Sequence, residues 1–563
     1  MRLTDIVPAP GFSRRMRRCI LWAENPVAPF LLLVFTFAAQ AKPIETCSLS
    51  GTVVDSVTNK PLNKVDIRLQ PLDGRGHHTA ISQSDSEGRF ALEKIDPGSY
   101  RLEGLRSGYL QTGYGARRDN RNGAVLRLEA GQVLKDVEIK LVPSASISGT
   151  VRDLDGDPVG FAQVVTGRRS YVLDGPGDGD LFQLVGSTST DDLGQYRIPY
   201  LRPGKYYVGA APIDLSPRCV RDHSPPSAGP REVSLRTYYP GVQDPAHATP
   251  IEVAVGSHVT GINVTLARAA TVRVRGRATK AAGIEAKGLS IALSDRSRFS
   301  LLGFSVLGNT ISAAGDFEFE SVPPGSYMII ADIGGAYETS ATIEVGRADV
   351  EGVSLVVGPG ADVKGRVTVE GAAKLDTKIR VRAGTRTSGG HYGEAAGDGT
   401  FALQNLPPGR YAVTVHTAPA EQVYVKAMRS DQTDVLKDGL TISRPGVAAL
   451  EITVSTDGGM VQGSVLDKEE RPAVGATVVL VPEARLRSRG DLFKTSPTDQ
   501  EGRYEWKAIP PGDYKLFAWD DVEPGAWHDP DFLKEYEPKA TPITIHPNGR
   551  EVVRVHVLAE GAQ

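Results

Sequence analysis

Two clusters of side chains in this 563-residue chain have types and spacing that could do chemistry. The first is Asp153-Leu154-Asp155-Gly156-Asp157, followed by Asp174, Asp178 and Asp180. Hard divalent cations prefer clustered carboxylates, so Asp153, Asp155 and Asp157 form a calcium candidate. The bidentate Glu that closes an EF-hand loop is missing, and Asp-Gly runs also simply make turns. The second cluster is aromatic: Trp506, Trp519 and Trp527 fall within 22 residues, with Tyr536 close by. Exposed flat rings stack on sugar faces, and Asp520, Asp521 and Asp529 offer acceptors for hydroxyls. Trp527 lies in an Asp-Pro-Gly loop and is expected at the surface, whereas Trp506 and Trp519 alternate into a core. Trp527, Trp519, Tyr536 and Asp521 are therefore the carbohydrate candidate. The chain has no His-Glu-x-x-His, no Gly-x-Ser-x-Gly and no phosphate-cradling loop, and its ten histidines are scattered. His77-His78 reads as a solvated loop pair. No catalytic residue and no cofactor is expected.

The elements that must position these residues repeat five times. A Pro-Gly turn runs into a tyrosine at Pro97-Gly98-Ser99-Tyr100, Pro203-Gly204-Lys205-Tyr206, Pro324-Gly325-Ser326-Tyr327, Pro408-Gly409-Arg410-Tyr411 and Pro511-Gly512-Asp513-Tyr514. Those glycines are 106, 121, 84 and 103 residues apart, so each repeat is the size of a small domain. Each repeat opens on an alternating strand around a glycine: Gly51, Gly149, Gly276, Gly365 and Gly463. A second turn, Asp85-x-x-Gly88, Asp191-x-x-Gly194 and Asp499-x-x-Gly502, shortened around Gly315 and Gly399, precedes each Pro-Gly. In these turns Asp bonds its own backbone and Gly supplies positive φ. The Pro-Gly glycine is expected to take positive φ by the same logic, and the tyrosine after it is expected to be structural. Pro61, Pro158 and Pro472 mark a further turn in repeats one, two and five only.

Short alternating strands with turn punctuation predict an all-β tandem array of about five Greek-key-type β-sandwiches. The expected boundaries are 42–143, 144–269, 270–358, 359–456 and 457–563, with one short helix near Asp531–Tyr536. A net charge of -3 predicts no general attraction to nucleic acid. Residues 1–41 resemble an export signal: Arg14, Arg15, Arg17 and Arg18, the apolar Val27–Ala39, then Ala39-Gln40-Ala41. Export to the periplasm, cell surface or medium follows, with membrane contact only through that segment. Cys19 would leave with it, and a Cys47–Cys219 disulfide stays open.

Gly-x-Val, Pro-Val-x-x-Ala-x-Val, Thr-Asp-x-x-Gly-x-Phe and Leu-Pro-Pro-Gly-x-Tyr together resemble the carboxypeptidase regulatory-like domain. That family has a transthyretin-like (prealbumin-like) sandwich overlapping carbohydrate-binding-like folds. Repeats one, two and five match best; four lacks the proline turn and three has diverged most. Thr237-Tyr238-Tyr239-Pro240-Gly241 and Ala518–Gly525 also resemble stretches of secreted multi-repeat bacterial members. The resemblance implies a fold far more than a chemistry. It directs a search for the zinc ligands of metallocarboxypeptidases, His-x-x-Glu and a distant His. His391, Glu394 and His416 fit that spacing, but the large α/β catalytic domain has no room here. Pilin-like sandwiches share the topology and often carry Lys–Asn cross-links. Asn263 and Lys364 stand at suitable strands, but no repeat holds both. The expectation is an exported, non-catalytic binding or scaffold protein, with carbohydrate as the ligand class. The rival is an adhesin-like stalk with a surface-protein partner; a zinc carboxypeptidase-associated role is remote.

Overall fold

The computed structural model describes residues 45–558, except 73–77, 117–122, 173–178, 213–231, 285–287, 296–304, 309–310, 313, 335–336, 372–377, 385–389, 419–422 and 444–445. The first repeat sets the pattern. Its strands are β1 (Cys47–Asp55), β2 (Asp66–Pro71), β3 (Ala80–Gln83), β4 (Arg89–Ile95), β5 (Gly98–Leu105), β6 (Thr112–Gly113), β7 (Leu126–Leu128) and β8 (Val133–Leu141). One sheet runs β4-β1-β8, with β1 antiparallel to β4 and parallel to β8. The other runs β3-β2-β5, and β5 also pairs with β6 and β7. Alternating side chains such as Ile67, Leu69 and Leu102 fill the space between the sheets and are fully buried. Four further pairs of sheets follow in sequence, and five separate hydrophobic cores draw on residues 47–141, 145–266, 272–357, 361–454 and 461–555. The predicted all-β sandwich array is what the chain forms; the expected helix is Pro530–Tyr536, and a second, one-turn helix that was not expected spans Val435–Asp438.

The opening glycines have a packing reason that alternation does not reveal. Each stands opposite an aromatic residue on the antiparallel neighbour: Phe90, Tyr196, Phe317, Phe401 and Tyr504. A Cβ at any of these glycines would overlap the backbone of the closing strand, at Val137, Ile262, Val353, Leu450 or Val553. Where the aromatic is tyrosine, its hydroxyl donates to that same carbonyl: Tyr196 to Ile262 at 2.6 Å and Tyr504 to Val553 at 3.0 Å. Burial of the two rings raises both hydroxyl pKa values.

The Asp-x-x-Gly turns form as expected. Asp85, Asp191 and Asp499 each accept two backbone N–H groups of their own turn at 2.7–3.0 Å. Gly88, Gly194, Gly315, Gly399 and Gly502 all have φ between 71° and 89°. Each also lies against a carbonyl of the opening strand, so a side chain is excluded twice over.

The Pro-Gly turn differs from expectation. Of its five glycines only Gly204 and Gly512 have positive φ, at 142° and 152°. The left-handed residue of every repeat sits four places earlier: Lys94, Tyr200, Ser321, Asn405 and Ala508, with φ of 51–61°. There the strand bulges, and the bulge turns the chain between sheets. The tyrosine then locks the corner. In all five repeats its hydroxyl donates to the carbonyl four residues upstream, at Asp96, Arg202, Pro323, Pro407 and Pro510, over 2.7–3.0 Å. All five rings are buried, which fits the structural role read from their recurrence.

Candidate functional site

The tryptophan-rich end of the fifth repeat is an insertion between strands Gly512–Trp519 and Thr541–Ile545. It carries the turn Ala526–His528 and the helix Pro530–Tyr536, which starts on proline and is capped by the Asp529 carboxylate. The helix lies over the outer face of the second sheet. Val479, Val481, Phe517 and Trp519 point outward there, opposite to Val478, Leu480, Leu516 and Ala518, and form a second core with Val522, Ala526, Trp527, Leu533 and Tyr536. Trp519 is completely buried, stacked on Phe517 at 5.1 Å and met edge-on by Tyr536 at 5.5 Å.

The sugar platform expected from sequence is therefore corrected. Trp527 is only 8 % exposed and donates its indole N–H to His528, while Tyr536 is buried. Asp521 is half-buried. Trp506 lies in the sandwich core, tilted against Tyr504 at 5.2 Å. A loop rich in Asp, Pro and Gly suggested exposure, but the insertion folds back over the sheet, where burying large rings is favourable.

The insertion also reaches other repeats. Ala526–His528 packs on strand Gln163–Val172 of the second repeat, and Glu523 lies 3.9 Å from Arg168 of that strand. Arg168 is itself fixed by a bond to the Pro203 carbonyl and by the Tyr206 ring below it. On another side, the Gln500 side-chain amide makes two bonds to the Arg127 backbone of the first repeat, N–H and C=O, at 3.2 and 3.1 Å. Gly475 and Gly115 meet there so closely that a Cβ on either would overlap the other repeat. Arg202 of the second repeat donates to the Gln111 carbonyl of the first at 3.2 Å. Sequence reasoning missed these residues. The only signal was the unequal length of the segment after each Pro-Gly strand.

The aspartate loop is a turn closed by an arginine. Asp153 accepts the N–H groups of Asp155 and Asp157 at 3.0 and 2.9 Å. Arg268 bridges Asp153 and Asp155 at 2.9 and 2.7 Å, and both carboxylates raise the Arg268 pKa. The guanidinium thus supplies the positive charge that a calcium ion would, and the calcium candidate gives way to this ion pair. Asp157 is exposed. Asp174 and Asp178 lie outside the described residues.

The His-x-x-Glu spacing falls on the strand His391–Glu394. Residues three apart on a strand face opposite ways, so His391 turns toward Tyr411 and Gln404 while Glu394 faces Arg380. His416 stands on the far side of Arg380 and contacts Thr414. Among the described residues no three His, Cys, Asp or Glu side chains converge as metal ligands. Asn263 accepts two bonds from Thr150. Cys47 is a buried free thiol, and Cys219, His77 and the export-like segment 1–41 lie outside the described residues.

The family model of the carboxypeptidase regulatory-like domain matches residues 48–142. No curated protein matches the chain. Among solved structures it is similar to the TIE protein of Bacillus anthracis, at 13% identity over 56% of this chain, with a TM-score of 0.16. That match spans about half, 51%, of the other chain. The minor pilin GBS52 of Streptococcus agalactiae matches at 12% identity over 40% of this chain and 98% of its own, TM-score 0.22. Two B repeat units of the collagen-binding protein of Staphylococcus aureus match at 14% identity over 73% and 100%, TM-score 0.13.

Proposed function

With residues 48–142 a carboxypeptidase regulatory-like domain, we propose that the protein is an exported, non-catalytic scaffold acting through protein contacts at or beyond the cell surface. One observation carries this reading: the most chemically suggestive residues serve packing. The tryptophan-rich insertion seals its own sheet and abuts the second repeat, and the aspartate loop is neutralised by Arg268. The resemblance of residues 1–41 to an export signal supports the compartment. Among the described residues no helix is long and apolar enough to cross a membrane.

Fractionation of the tagged protein in its native cell, followed by cross-linking and mass spectrometry, tests this. The expected result is a non-cytoplasmic fraction in which a small set of surface or secreted proteins is cross-linked to the array. A cytoplasmic protein, or release of C-terminal residues from peptides by the purified chain, would overturn it.

A further inference from the structure

The second sheet of the fourth repeat lacks strand pairing that the other four repeats possess. In each of those, later chain covers the far edge of the Pro-Gly strand. In the first repeat Leu126–Leu128 pairs with residues 98–100 and Thr112–Gly113 with 103–104. In the second, Ile251–Val253 and Thr237–Tyr238 take the matching places. In the third, Tyr337–Val345 runs the whole length, 325–333. In the fifth, Thr541–Ile545 covers 512–516, and Leu558 bonds beyond it at Ala518 and Asp520. In the fourth, Leu440–Ile442 pairs with Gly409–Tyr411 and stops. The segment after the Pro-Gly strand instead crosses to the first sheet as strand Tyr424–Ser430, beside Gly446–Ser455. Among the described residues no strand pairs with the rest of this edge, residues 412–418.

The gap leaves the core unsealed. Val413 and Val415 are only half-buried. The residues at the place of Val413 in the other repeats, Leu102, Val208, Ile329 and Leu516, are buried, as are Gly104, Ala210, Ala331 and Ala518 at the place of Val415. Space is open there too. Val415, His416 and Thr417 border a cleft of about 210 Å³, with Val423 and Val425 of the same repeat and Lys494 and Lys507 of the fifth. Three consecutive strand residues alternate between the faces of a sheet, so it is the edge of the strand that borders the cleft. The one-turn helix Val435–Asp438 lies near the same strand, so the opening is a few residues long. The stretch holds neither a proline nor a bulge, two of the usual protections of an edge. Such an edge can take an extended segment as an added strand.

The surroundings select the side chains of that segment. On its core side stand Val413, Val415, Val423 and Val425, which favour apolar residues. On the outer side the neighbouring strand presents Lys378, Arg380 and Arg382, with Arg380 directly opposite His416. Lys494 and Lys507 add two cations from the fifth repeat. Two carboxylates meet these groups: Glu394, 3.9 Å from Lys378, and Glu505, 3.0 Å from Lys507. Lys494 donates to the Asp491 carbonyl, while the Asp491 carboxylate pairs with Arg489. Five cations against two carboxylates leave a net charge of +3. In the adjoining connections Lys374, Asp376, Arg386 and Glu421 cancel. Successive residues of a strand face opposite ways, so apolar inside and acidic outside is an alternation in sequence. We propose that the open edge of the fourth repeat takes up, as an added strand, a short partner segment that alternates apolar and acidic residues. This deepens the scaffold reading: it rests on a protein partner and names the chemistry of one contact.

Calorimetric titration of the full chain with a capped seven-residue peptide alternating valine and glutamate tests the site. The peptide should bind with Kd below about 1 mM, and amides of residues 412–418 should gain protection from hydrogen exchange. An alternation of valine and lysine, and a peptide with the same valines and glutamates in two blocks, should bind at least about tenfold more weakly. Arg380→Glu on the exposed face and Val415→Ser on the core side should each weaken binding about tenfold or more. Circular dichroism melting reports that each variant is folded, and the exposed position of Arg380 guards against both failing. Arg89→Glu, an exposed arginine of the first repeat, should leave the affinity unchanged. No binding of the alternating peptide would overturn the proposal; protein cross-links that persist in the native cell would then leave the scaffold reading standing without this site. Equal binding of heparin or oligothymidylate, with no new protection at 412–418, would overturn it in favour of plain attraction for polyanions. So would a dimer of the chain that Val415→Ser dissociates, because the segment taken up would then come from a second copy.

Discussion

Repeats one, two and five share a sandwich with repeats three and four but differ from them in two coupled ways. The first is a hydroxyl clamp. Ser84, Thr190 and Thr498, all buried, each donate to one backbone carbonyl of the proline turn and accept one of its N–H groups. Ile311 and Ala395 hold the matching places in repeats three and four, which have no proline turn to clamp. The second is where the segment after the Pro-Gly strand goes: in the fourth repeat it adds strand Tyr424–Ser430 to that repeat's own first sheet, whereas in the first and fifth it reaches another repeat. The other contacts described between repeats one, two and five use an insertion or a clamped loop, Gln111 and Gly115 in the first repeat, Gly475 and the 523–528 segment in the fifth, while Gln500 and Arg127 join a shared turn to a shared strand beside them. The shared sandwich supplies folding units, while the additions supply most of the joints between repeats distant in sequence. The clamp belongs with the joints because it holds still the loop that carries Gly475.

The comparison can be broken most severely at Trp519. Trp519→Ala should cost the fifth repeat about 3–5 kcal/mol, read as a lower denaturation midpoint. His416→Ala, at the matching position of the fourth repeat, should stay within about 0.5 kcal/mol because that sheet face is uncovered there. Equal losses would show that the outer face is not what distinguishes the groups. Thr498→Val strands two buried backbone groups and should cost about 2–3 kcal/mol, whereas Ala395→Ser should change stability by less than about 0.5 kcal/mol. Gly475→Val forces a side chain into φ of 72° and into the first repeat. It should cost about 1–2 kcal/mol in strain and unprotect the Arg127 amide in hydrogen exchange. The corner tyrosines sharpen the comparison from the other side. Tyr411→Phe and Tyr514→Phe should each lose about 1 kcal/mol, alike in both groups, since both corners make the same bond.

The smallest effect lies at the joint of repeats three and four. Burial raises the Glu338 pKa, aided by Asp332 and opposed by His391, and Glu338 in turn helps raise Tyr411 to about 12. A carboxyl with a raised folded pKa favours the folded state most when protonated. Its contribution is present below the ordinary glutamate value and fades as pH rises through the raised one. Glu338→Gln should flatten that slope in the acid range, measured as melting temperature against pH.

Much of this was legible because turn chemistry is local. Asp85, Asp191 and Asp499 bond within four residues of themselves, and the repeat of Pro-Gly-x-Tyr exposed the array. Even here proximity misled: Gly98 was expected to bear the positive φ that Lys94 bears, because the strand bulge depends on pairing with β1. The errors at the candidate sites are long-range in the same sense. Asp153 and Asp155 look like a cation loop until Arg268, more than a hundred residues on, is placed beside them. Trp527 looks exposed until its insertion is laid on strands that precede it. The opening glycines were visible as a period, but their cause, a closing strand against the Cα, exists only after the first and last strands of a repeat have met.

The direct test of the central claim, that repeat five docks on repeat one where Gly475 meets Gly115, is a cross-link between Arg127 and Gln500. The double variant Arg127→Cys/Gln500→Cys, made in the full chain with Cys19, Cys47 and Cys219 replaced by alanine, would be treated with a short bis-maleimide and digested. Lys426→Cys/Glu370→Cys, a pair within the fourth repeat, serves as the positive control. The account predicts an intrachain link between 127 and 500 in dilute protein, abolished when Gly475→Val is added. A control pair that links while 127 and 500 do not would contradict it.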